Sequence, residues 1–262
     1  MNYSGPLDIM PLWLLFLATI ATVSLAVEIG YRVGGFRRRH APEKETPVGA
    51  MVGAMLGLLA FMLAFTFGLA ASRFDDRRHT ILDEANAIGT TYLRAGLLPE
   101  PTRTELRRSL REYVEVRLQA TQQGKLDQAM SRSVELHEQM WSQATDVAQR
   151  DPHSIITGLC IQSLNELIDL HATRVLAGLR SRIPGVIWGA LFFVSTITMA
   201  TMGYHEGLAG NRRSLASLAL VVTFSAVLML TVDLDRPQEG FIQVSQQSMP
   251  QRPGAQHVAR LL

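Results

Sequence analysis

Cysteine is nearly missing: Cys160 stands alone in 262 residues, so neither an intrachain disulfide nor a cysteine metal cluster can form. Charge is also sparse. Asp, Glu, Lys and Arg make up 18% of the chain, and the formal balance of +2 is too small and too dispersed for a nucleic-acid footprint. Catalytic motifs are absent as well: no G-x-S-x-G, P-loop or G-x-G-x-x-G occurs, and His205-Glu206 is not followed by a second His at the zincin spacing. Glu135, His137 and Glu138 sit close together on one helix without a partner set at metal-ligand spacing. The expectation is therefore no enzyme, no cofactor and no nucleic-acid partner.

Apolar length is what the chain has. Hydrophobic residues reach 47% and mean hydropathy is +0.13. The excess is concentrated in four runs, Met10–Val27, Val48–Ser72, Ile183–Tyr204 and Leu215–Val232, each at or near the length that crosses a hydrocarbon core of about 30 Å. Basic residues follow the first run rather than precede it, so it reads as an uncleaved span. Gly34, Gly35, Pro42 and Pro47 mark residues 30–47 as a basic loop. Glu28, at the end of the first span, reads as an interfacial carboxylate.

The second run organises the rest. Val48 to Ser72 is uncharged, and Arg73, Asp75, Asp76, Arg77 and Arg78 follow with no proline or glycine between, which predicts one helix leaving a bilayer and entering a polar domain. The charged turn itself reads as solvated and self-paired. Gly49, Gly53 and Gly57 recur every four residues, a small-xxx-small spacing that lets helices approach closely. Phe61 and Phe65 are also four apart, which stacks their rings on one helix face. Repeated about a symmetry axis, such a face makes an apolar constriction that gates by dewetting; alternatively the rings face lipid or a neighbouring helix.

Between the second and third spans the pattern is helical. Ile81, Leu82, Ala85 and Ile88 continue an apolar face until Gly96, Pro99 and Pro101 break it. Thr102 with Glu105 reads as a capping box, followed by a stripe of Leu106, Leu110, Tyr113, Val114 and Leu118. A turn at Gln122-Gln123-Gly124 precedes a helix from about Leu126 to Gln149. Asp151-Pro152 reads as the cap of the last domain helix, whose seam is Ile161, Leu164, Ile168, His171, Val175 and Leu179. His171 reads as a core histidine. The polar tail after Gly240 reads as partly extended. The expected fold is an all-α membrane protein: residues 1–72 hold transmembrane helices 1 and 2, 73–182 an inserted helical extramembrane domain, 183–232 transmembrane helices 3 and 4, and 233–262 the tail.

Three segments then carry a resemblance: FMLAFTFGLAASRFDDRR at 61–78, DEANAIGTTYLRAGLLP at 83–99, and DLDRPQEGFIQVS at 233–245. The chain resembles the bacterial bestrophin-like domain proteins, and through the first segment the neck helix of the bestrophin channels. That resemblance implies a homopentamer around one axial pore in the bacterial inner membrane, with inorganic ions and membrane lipids as partners. It implies a neck at Phe61 and Phe65, with Arg73-Phe74 as the arginine–aromatic pair that follows. A third neck position falls at Gly57, where bestrophins place a bulkier residue. Their acidic calcium clasp is reduced here to Asp233, Asp235 and Glu239, a weak cation site at most. A non-conducting membrane sensor or scaffold is the competing reading. Orientation stays open: bestrophins keep the helical domain in the cytosol, whereas the Lys and Arg of the two short loops, weighted by the positive-inside rule, lean the other way.

Overall fold

The computed structural model describes residues 10–40, 45–123, 126–179, 182–210 and 215–236. These form seven helices in the order α1 (Leu12–His40), α2 (Glu45–Ala95), α3 (Thr102–Gln123), α4 (Leu126–Arg150), α5 (Ile155–Leu179), α6 (Gly185–Ala209) and α7 (Leu215–Asp235), with no strand among the described residues. Four of them, α1, α2, α6 and α7, are long and apolar enough to cross a membrane. At 51 residues α2 is about 75 Å long. The chain separates into two compact units, one built from the described residues of 1–76 and 179–243, the other from Arg77–Gly178.

The first unit is held by the approach of two backbones. α1 packs along α6, and glycine makes the distance feasible. A Cβ added at Gly30 would lie 1.9 Å from the Ala200 carbonyl oxygen, and one at Gly34 2.2 Å from that of Tyr204. From the other side, a Cβ at Gly203 would lie 2.1 Å from the Val27 carbonyl and one at Gly207 2.3 Å from that of Tyr31. Two Gly-x-x-x-Gly pairs therefore face each other. Several buried hydroxyls in this unit bond to carbonyls one turn back, as Thr19 does to Leu15 at 2.8 Å and Thr231 to Val227 at 2.8 Å, whereas the buried hydroxyls of Thr198 and Ser225 have no hydrogen-bond partner.

This packing corrects the reading of residues 30–47 as a loop. α1 continues to His40 and α2 begins at Glu45. Gly34, like Gly30, is a point of close approach by α6, and it breaks no helix. The ladder on α2 behaves differently: Gly49 meets the His205 side chain, but nothing stands within 4 Å of a Cβ at Gly53 or Gly57.

The second unit is a four-helix bundle of the C-terminal part of α2 with α3, α4 and α5. Its core includes Ile88, Leu106, Leu110, Tyr113, Leu136, Met140, Cys160, Leu164 and Leu167. Burial of these side chains, not intrinsic propensity, supplies most of the helical stability. The predicted α3 stripe is buried except at Leu118, which is exposed. On α5 the buried seam is Thr157, Cys160, Leu164, Leu167 and His171, while Ile161 and Ile168 are only half-buried. The expected seam was thus rotated toward the larger aliphatics. Both expected caps also move. Ser154, not Asp151, caps α5, its Oγ accepting from the Thr157 amide at 3.3 Å. In the first turn of α3, the Glu105 amide donates to the Pro101 carbonyl at 3.2 Å and the Thr104 amide to Glu100 Oε2 at 3.3 Å.

Candidate functional site

On α2 within the first unit, Val52, Leu59, Leu63, Thr66 and Ala70 are buried at spacings of three, four and seven, which fixes the inward face. The opposite face carries Ala54, Gly57, Leu58, Phe61, Ala64, Phe65 and Gly68, all exposed within the single chain. Phe61 and Phe65 are 69% and 64% exposed. Their ring centroids are 6.4 Å apart with planes 21° from parallel, an offset stack along the helix. Gly57 lies one step of four residues, about 6 Å, before Phe61 on this face. Arg73 follows Phe65 by eight residues, about 12 Å along the axis, and is half-buried. The four residues expected of a neck are therefore on one helix, three of them on one uncovered strip.

The acidic set is placed otherwise. Asp233 and Asp235 are buried, and Ile183 donates its amide to Asp235 Oδ1 at 3.0 Å, so this carboxylate receives an amide at the start of α6. Arg236 donates from Nη2 to the Met10 carbonyl at 2.7 Å. Glu239 lies outside the described residues. Among the described residues no group of three His, Cys, Asp or Glu is placed to hold a metal ion. Glu28 forms an ion pair with Arg32 at 2.7 Å, one turn along α1.

The second unit contains a cluster that the sequence did not single out. Glu84 on α2 is fully buried and accepts hydrogen bonds from the Tyr113 hydroxyl of α3 and from Arg174 of α5. Arg117 Nε lies 3.6 Å from the same carboxylate. His171 Nδ1 is 3.0 Å from the Tyr113 oxygen. Since Tyr113 gives its proton to Glu84, His171 must carry hydrogen on Nδ1 and donate. His137 of α4 stacks against Tyr113 at 4.9 Å and meets His171 edge-on at 4.8 Å. Its Nε2 is buried without a hydrogen-bond partner.

Burial alone would raise the Glu84 pKa, but the charges of Arg174 and Arg117 and the bonds from Tyr113 and Arg174 outweigh it and hold the carboxyl below its usual value. Burial and the Glu84 charge push the Tyr113 hydroxyl well above its ordinary range. Burial lowers both histidines to about 4, reinforced by their neighbours: His171 for His137, and Arg117 for His171. A signal for this cluster was present in the register. Glu84 stands three and four residues before Ala87 and Ile88 on the buried stripe, and Arg117 continues the Leu106–Leu110–Tyr113 seam. Arg77, expected to be solvated, is buried too, whereas Asp75, Asp76 and Arg78 are exposed.

Seven helices among the described residues, four of membrane-spanning length, together with glycine-mediated backbone packing and an uncovered aromatic face, define the class: a multi-pass, all-α membrane protein. The chain belongs to the bestrophin-like domain family, whose domain it matches over residues 17–249. No curated protein and no solved structure matches it.

Proposed function

We propose that the chain assembles as a homopentamer around one axial pore in the bacterial inner membrane and conducts inorganic ions through a neck lined by Phe61 and Phe65. The observation that carries this reading is the stacked, uncovered phenylalanine pair on α2, a helix that runs unbroken from a membrane-length segment into the four-helix bundle. Family membership supports it. A ring of such pairs would exclude water at the narrowest point and gate by dewetting. Gly57 leaves the neck wider on one side of the rings, and Arg73 sets a cation beyond them. Phenylalanine edges carry positive partial charge, which with Arg73 favours anions weakly. A calcium role for Asp233, Asp235 and Glu239 gains little support, because Asp235 already accepts a backbone amide.

The test is ion flux through purified protein in liposomes, wild type against Phe61→Ala/Phe65→Ala. The double variant is expected to raise flux at least tenfold, which corresponds to about 1.4 kcal/mol off the barrier. If neither protein conducts while both remain folded oligomers, the channel reading fails. One observation favours the alternative, a non-conducting scaffold: Leu93, Leu97, Ile155 and Ile156 are exposed near the Arg94–Leu159 hydrogen bond of the second unit.

A further inference from the structure

We propose that Glu84, Tyr113, Arg117, His137, His171 and Arg174 form an acid-released latch, which clamps the four-helix bundle at neutral pH and lets go when its two histidines take up protons. Every helix of the bundle contributes: α2 gives Glu84, α3 gives Tyr113 and Arg117, α4 gives His137, and α5 gives His171 and Arg174. The latch stands whether or not the chain conducts ions.

Its charge balance makes it sensitive to acid. One carboxylate already faces two guanidinium groups. Two imidazolium charges would join them, with ring centroids 4.8 Å apart and shielded from water. The bonding pattern is matched to neutral rings in the same way. His171 satisfies Tyr113 through Nδ1 without a charge. A protonated His137 must carry hydrogen on its unpartnered Nε2, which sets a buried cationic N–H where there is no acceptor, at the full cost of desolvation.

The sign follows from linkage. Both histidines are held at about 4 in the fold, below their ordinary 6.5. The opened bundle binds more protons between those values, so the latch is fully engaged above pH 6.5 and loosens as pH falls toward 4. Glu84 acts in the same direction but in a lower window, because its lowered pKa lies beneath 4.5. Loosening above pH 5 therefore belongs to the histidines.

The experiment is hydrogen exchange on the full chain in lipid nanodiscs at pH 7 and pH 5, corrected for intrinsic exchange rate, with amides of α1 and α6 as internal reference. Opening of the buried amides of α3, α4 and α5 is expected to increase roughly 20-fold for each histidine, and on the order of several hundred-fold for both. His137→Phe/His171→Gln, which keeps a ring and a polar partner for Tyr113, is expected to abolish the response. Should that variant lack bundle protection at pH 7, His137→Phe alone takes its place and is expected to leave about the square root of the wild-type increase. Imidazole resonances of the wild type provide a readout independent of any variant: two of the seven histidines should titrate near pH 4. Unchanged wild-type protection at pH 5, a full acid response in the variants, or seven histidines all titrating near 6.5 would each overturn the latch.

Discussion

Glu84 makes the sharpest statement at the scale of single residues. Its side chain is 2% exposed and contacts two guanidinium groups and a phenol. Removing one partner of a buried ionic cluster leaves uncompensated charge and costs about 3–5 kcal/mol. Glu84→Gln is therefore expected to lower bundle stability in that range, read by denaturation of the purified chain. Adding Arg174→Gln should recover part of the loss, because the stranded cation goes with it. A stability change within about 1 kcal/mol for Glu84→Gln alone would contradict the assignment. Glu84 was hidden in the sequence because a charged letter on a helix normally marks its solvated side. Only its register with Ala87 and Ile88 betrays it, and that register becomes visible once the partners on α3 and α5 are known. Phe61 and Phe65 were the opposite case. Spacing alone put them on one face, and the rings do stack, yet spacing cannot say what lies across from them.

Among helices, the informative contrast is between two glycine ladders. The sequence drew attention to Gly49, Gly53 and Gly57, but the close backbone approach belongs to Gly30 and Gly34 on α1 against Gly203 and Gly207 on α6. The first pair was read as part of a loop because Gly34 and Gly35 stand with Pro42 and Pro47 in a basic stretch, and glycine and proline after an apolar run normally mark a turn. The helix instead carries those charges on its own last turns. Gly34→Ala is expected to separate α1 from α6 and lower the thermal midpoint of the first unit, since its Cβ would meet the Tyr204 carbonyl at 2.2 Å. Gly53→Ala meets nothing in its own chain and removes a helix-breaking preference of roughly 0.5–1 kcal/mol. Chain stability should hold or rise slightly, whereas any assembly that uses this face should weaken. Equal effects of the two substitutions on the midpoint would contradict the packing described. The bundle helices were legible as elements, since their apolar stripes are periodic. Their exact faces were less so: on α5 the buried positions favour Cys160 and Thr157 over the larger Ile161 and Ile168, a choice made by the neighbouring helices, not by hydrophobicity.

For the whole molecule, the all-helical class and the four membrane-length helices were readable because long apolar runs are coarse features. Family membership was readable from three segments, and two of them now have a physical reason to be distinctive. The segment at 83–99 holds the buried Glu84 and the α2 stop at Ala95, and the segment beginning at Asp233 holds a carboxylate that accepts the Ile183 amide. The symmetry that would turn one uncovered face into a pore lies beyond any single chain. Thiol accessibility on the cysteine-substituted protein addresses it most directly. In a Cys160→Ser background, Phe61→Cys is compared with Phe193→Cys, an exposed apolar position on α6, using a charged, membrane-impermeant methanethiosulfonate reagent on protein in liposomes. If Phe61 lines the neck, the thiol at 61 reacts from the aqueous phase and flux changes by at least several-fold, while the thiol at 193 stays inert. If the thiol at 61 reacts no faster than that at 193 and flux is untouched, the face looks toward lipid and the neck assignment is wrong.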